Sequence, residues 1–166
     1  MKELVTSLDE KLQHFKNLLQ KTKDELNKIE QELSSTKNEL LKIEEEVLSV
    51  SKEIRDRERR IHEILGKLKR VQMATLKAQT DREFEMLERD RSVLIKELTK
   101  HNDRLKELKE KYEKLTNKEM KLLDIEMELE KKKKKLLDKK EIYLQKLEHI
   151  MTQFQKNIDQ FRQLFN

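Results

Sequence analysis

The sequence predicts an all-α fold: a long antiparallel two-helix coiled-coil hairpin, turning near residues 72–83. Three observations carry this. Apolar residues recur at alternating spacings of three and four through ten heptads. The rhythm stops near the midpoint of the chain, and it then resumes in a second arm of similar length. A 3.5-residue apolar repeat keeps one stripe of a helix facing a partner helix, so it specifies a coiled coil.

The first arm, about residues 3–73, carries the regular seam. Its a and d positions run from Val5, Leu8, Leu12 and Phe15 through Leu40, Ile43, Val47 and Val50 to Ile64, Leu68 and Val71. The few polar exceptions are Thr22, Thr36 and Arg57. Composition fits a narrow seam: 44% of residues are charged, 34% are apolar, and Gly and Pro number one and none. Ordinary globular domains are about 45–50% apolar. High charge with low hydrophobicity is also the signature of disorder. Periodicity and an aliphatic content above the roughly 20% floor of disordered chains favour the coiled coil.

The turn follows from Gln72–Gln79, where the repeat fails. Lys67, Lys69 and Arg70 precede it, favourable against the negative end of a helix dipole. Thr80-Asp81-Arg82-Glu83 then has the form of a capping box. The second arm, about residues 81–165, resumes at Phe84, Leu87, Leu94 and Leu98, with Thr116-Asn117 marking a kink or short break near 116–120. From Leu122 onward its stripe widens to adjacent pairs such as Leu136/Leu137 and Ile150/Met151. Such drift belongs to a straighter helix and predicts looser packing or a third surface resting on the widened face.

Pairing the arms is favoured by charge. Glu119, Glu126, Lys133 and Lys140 occupy a positions. A parallel in-register homodimer sets each against its own copy, which is unfavourable at low dielectric. In a hairpin their stems reach outward from the edge of the seam. An alignment centred between Lys77 and Ala78 sets Phe15 opposite Lys140, Leu12 opposite Tyr143 and Ile54 opposite His101. It also sets Met1 opposite Phe154 and leaves 155–166 beyond the hairpin. At 1.5 Å per residue each arm is roughly 110 Å long.

The chemistry-bearing residues argue against catalysis. There is no Cys, and His14, His62, His101 and His149 are far apart, so no zinc set is readable. No phosphate loop or nucleophile motif occurs, and a two-helix rod has no concave active site. The glutamates are surface charges by default, with Glu107/Lys111 and Glu110/Lys114 at ion-pair spacing. No cofactor is expected. Net charge is +5, with one dense block at Lys131–Lys135. That block points all round its helix and has no interleaved aromatics for base stacking, which disfavours nucleic acid. No apolar run is long enough for a membrane span. The N-terminus lacks a signal-peptide core, and a cytoplasmic location is expected.

Two regions are candidate protein-binding surfaces. The C-terminal end carries Phe154, Ile158, Phe161, Leu164 and Phe165, including three of the five phenylalanines of the chain. The tip carries Met73 and Leu76. An apolar helical face without an intramolecular cover finds a protein partner or self-associates, so other proteins, or a second copy through the C-terminal end, are the expected partners.

The segment Arg70–Leu87, with Thr80-Asp81-Arg82-Glu83-Phe84 at its centre, resembles the hinge of the bacterial zinc-ribbon coiled-coil proteins. That resemblance implies a long helical hairpin acting as a binding platform, associated with flagellar and type III secretion machinery. The four-cysteine ribbon of the family is absent here, so no metal function carries over. In length and charge the chain is also similar to the export-ATPase stalk family of those secretion systems, although Met1–Leu12 lacks that family's Arg- and Phe-rich opening. The expected function is therefore a non-enzymatic coiled-coil scaffold or adaptor for other proteins. The alternative is an export-ATPase stalk or escort protein.

Overall fold

The computed structural model describes residues 2–165, which form two helices, α1 (Lys2–Lys77) and α2 (Asp81–Phe165). They pack as an all-α helical hairpin, with no strand among the described residues. Both ends of each helix suit the macrodipole: Glu3 and Lys77 lie in the first and last turns of α1, Asp81, Glu83 and Arg162 in those of α2.

The helices are separated by Ala78, Gln79 and Thr80 alone. α1 thus runs four residues beyond its expected end at 73. Gln72–Lys77 contains good helix formers and neither Gly nor Pro, so loss of the apolar repeat does not stop the backbone. Thr75 even donates its hydroxyl to the Val71 carbonyl at 2.8 Å. The helix ends where Ala78 N–H donates to the Thr75 carbonyl at 3.3 Å, a tightened i→i−3 closure. α2 starts on the anticipated cap: Glu83 N–H donates to Thr80 Oγ1 at 3.2 Å. The reciprocal bond is displaced by one residue, because the Glu83 carboxylate accepts from Gln79 N–H at 3.2 Å rather than from Thr80. Near 116–120 α2 is unbroken; the Thr116 hydroxyl donates to the Glu113 carbonyl at 3.0 Å and the helix continues.

Contacts divide the chain into two units. In the unit Glu39–Leu122, Leu40, Ile43 and Leu122 form a buried cluster against which Val47 packs. Val50, Ile64 and Leu108 are also buried, Leu108 most completely at 1% exposed. One polar bond crosses the seam here, from Arg57 Nη1 to His101 Nδ1 at 2.9 Å, with both residues half-buried. Arginine has no acceptor, so in this bond Nδ1 is the accepting atom.

In the unit Met1–Asn38 with Leu123–Asn166, Leu8, Leu26 and Leu33 of α1 are buried along with Leu129, Leu136, Leu147 and Ile150 of α2. Thr22 and Thr36 are buried as well, and their hydroxyls donate back to the carbonyls of Leu18 at 2.9 Å and Glu32 at 2.8 Å. Each threonine is thereby satisfied within its own helix. Glu126, Lys133 and Lys140 are half-buried at the edge of the seam, as expected of long side chains that bury their stems and keep their charge in water. Phe15 packs against Tyr143 with ring centroids 6.3 Å apart, and the Lys146 ammonium lies 5.2 Å from the Phe15 centroid.

These contacts correct the expected alignment. Phe15 meets Tyr143 rather than Lys140, and His101 meets Arg57 rather than Ile54. In each unit the partner is displaced by three residues, and both pairs are equidistant in sequence from Gln79. The cause is the turn: extension of α1 to Lys77 and a three-residue connection put the centre of the hairpin at Gln79.

Candidate functional site

The C-terminal apolar residues belong to the unit that also contains the start of α1. Phe154, Ile158, Phe161 and Phe165 are spaced four, three and four residues apart and so share one face of α2. Leu4, Val5 and Leu8 form the corresponding face of the first turns of α1. Together the two faces line a groove of about 420 Å³ that contains Leu4, Val5, Leu8, Phe154, Ile158, Phe161 and Leu164, with Asn157 and Gln160 as its polar members.

This placement differs from the expected free overhang beyond residue 154. The shifted alignment brings Leu4–Leu8 beside Phe154–Leu164, so the terminal residues of α2 have a wall to lie against. Met1, the residue expected opposite Phe154, lies outside the described residues. Cover is nonetheless partial. Leu8 is buried and Phe154 half-buried, whereas Ile158 and Phe161 are each 43% exposed and Leu164 and Phe165 each 76%. The Phe161 and Phe165 rings sit 4.7 Å apart at 50°, a tilted aromatic pair that stiffens the rim.

The tip candidates are in the other unit. Met73 and Leu76 are exposed, but both are helical residues of α1 rather than turn residues. Phe84 in the first turn of α2 is also exposed. Sequence reading did not anticipate the participation of Leu4 and Val5 in the groove. The signal was Leu4 beside the seam residue Val5, an adjacent apolar pair of the kind noted along the second arm.

The lysine block lies on α2 with Lys131, Lys132, Lys134 and Lys135 exposed and Lys133 half-buried. Residues 131–140 hold seven lysines against Asp138, so the rest of this +5 chain is slightly acidic. On one side Lys132, Lys135 and Lys139 share a shallow groove with Lys28, Glu25 and Glu32. The two carboxylates dilute the field there, and the remaining lysines point in other directions.

The histidines occupy separate surroundings. His14 meets Phe15 edge-on with centroids 5.4 Å apart, His149 lies 3.3 Å from the Gln153 amide, and His101 is taken by Arg57. Among the described residues no three His, Asp or Glu side chains converge on a metal-sized site, and no helix is long and apolar enough to cross a membrane. The ion pairs among the described residues are exposed: Lys37–Glu130 at 3.7 Å, Lys109–Glu58 at 3.8 Å, Arg59 with Asp56, and Arg104 shared between Glu53 at 3.5 Å and Glu107 at 3.2 Å. Glu107 thus pairs with Arg104, a different neighbour from the Lys111 suggested by spacing.

No protein-family model matches the chain, and no curated protein matches it. Among solved structures it is similar to the HP0958 protein from Helicobacter pylori CCUG 17874, at 18% identity and a TM-score of 0.63. The match covers 91% of this chain and 69% of that one. At this identity the likeness concerns the fold.

Proposed function

We propose that this protein is a non-enzymatic cytoplasmic scaffold or adaptor, and that the groove between the start of α1 and the end of α2 takes an apolar segment of a partner protein. The observation that carries the reading is the groove itself: seven apolar side chains from two helices around about 420 Å³, with Phe161 of its lining and the neighbouring Phe165 left accessible. A hairpin seam buries what it needs for stability. Apolar residues left open side by side at one place are the usual mark of a contact surface. The shape suits an amphipathic helix, whose side chains at i, i+3/i+4 and i+7 enter such grooves.

Aromatic anchors near the centre of an interface dominate its energy, typically at about 2 kcal/mol or more each. Phe161→Asp is therefore expected to weaken partner capture by about 30-fold or more. Photo-crosslinking in the source cell gives the direct test, with a photoreactive residue at position 161 and a control at Leu48, which is exposed on α1. A discrete adduct with another protein from position 161, absent from position 48, is the expected result. Adducts only with a second copy of the chain, or none at all, would overturn the adaptor reading.

A further inference from the structure

α2 carries a second apolar stripe, left largely open and met by α1 only at Ile158, which also lines the groove with Leu4, Val5 and Leu8. Leu137, Leu144, Met151, Ile158 and Phe165 follow one another at intervals of seven, and each is between 43% and 76% exposed. Over most of its length it runs beside the seam: Leu136 and Ile150, immediately before Leu137 and Met151, are buried and Tyr143, before Leu144, is half-buried, whereas Leu164, before Phe165, is itself 76% exposed. Through Met151 the widened stripe expected from the sequence therefore divides into a covered half and an open half. The open stripe spans 29 residues, about 42 Å of helix, and supplies one of the two apolar positions per heptad that a coiled-coil seam uses.

Charge beside the stripe indicates what fits it. Glu141 and Arg162 lie on the same outer flank, near opposite ends of the stripe, and among the described residues neither makes an ion pair. We propose that the stripe pairs with the same stripe of a second copy, antiparallel about a two-fold axis at Met151. Leu144 then meets Ile158 of the other copy and Leu137 meets its Phe165. The same operation brings Glu141 to within one residue, about 1.5 Å along the axis, of the level of Arg162 on the same flank of the other copy, twice over by symmetry. A parallel pair leaves those two charges 21 residues apart, about 31 Å.

The stripe meets the proposed adaptor groove at Ile158, and Leu144 and Glu141 stand outside that groove. Sedimentation equilibrium of the full chain tests the pairing independently of any other protein. The native chain is expected to reach twice its 20.3 kDa mass. Leu144→Glu, on an exposed site, is expected to return it to single mass with unchanged helicity. Glu141→Arg is expected to weaken the dimer by about three- to tenfold, the range of two exposed ion pairs. Adding Arg162→Glu to it should restore the affinity. A native chain that stays at single mass, a dimer indifferent to Leu144→Glu, or failure of the double reversal to rescue would each overturn the proposal.

Discussion

Leu108→Ala measures how much the seam contributes to stability. Leu108 is the most completely buried side chain of the Glu39–Leu122 unit, at 1% exposed. Truncating a buried leucine in a compact core costs about 2.7–5 kcal/mol, the upper values going with cavities that do not collapse. A seam two helices wide has solvent on both flanks and can close over a small void. The expected cost is therefore near the lower bound, about 2.5 kcal/mol. For a chain of this length each kcal/mol moves Tm by about 2–4 °C, so the expected drop is about 5–10 °C. The control is Leu48→Ala at a position 67% exposed on α1, expected to change stability by less than about 0.5 kcal/mol. Urea unfolding followed by far-UV circular dichroism gives both midpoints under identical conditions. Equal losses for the two variants would refute the claim that seam burial holds this hairpin together.

The Arg57–His101 bond makes an asymmetric prediction: His101→Ala leaves a half-buried guanidinium without its acceptor and costs about 1–3 kcal/mol, whereas replacing both residues by leucine is neutral or stabilising. Thermal melts of Arg57→Leu, His101→Leu and the variant carrying both decide it, and a double variant as unstable as the sum of those singles would contradict the pairing. Thr80→Ala removes the cap on Glu83 N–H and is expected to cost about 1 kcal/mol. Amide exchange at Glu83 should rise with it; unchanged exchange would mean that the cap is not holding the start of α2.

Much of the fold was legible because a heptad seam announces itself residue by residue. The run from Val5 to Val71 and its resumption at Phe84 define two helices, and Thr80–Glu83 locates the second start almost to the residue. The alignment was harder. An antiparallel seam presents similar apolar layers at several offsets, so periodicity alone cannot choose among them. The deciding detail is where α1 stops, and Gln72–Lys77 has helix propensity without seam pattern. Arg57 and His101 were visible as polar residues in the seam, but their mutual bond becomes readable only once the arms are displaced by three residues. The groove was half legible for the same reason: Phe154–Phe165 stands out as apolar sequence, while the contribution of Leu4 and Val5 depends on alignment.

The central position of Gln79 also governs how such a chain can change its length. A residue inserted in one arm alone advances its helix by 1.5 Å and turns it by 100°, carrying every apolar side chain beyond the insertion away from its stripe. Seven residues added to one arm restore the facing but displace its partners by about 10.5 Å. Only matched heptads, one in each arm at equal distances from the turn, preserve both facing and pairing. Viable homologues of different length should therefore differ by multiples of fourteen residues within the paired region, shared equally between the arms.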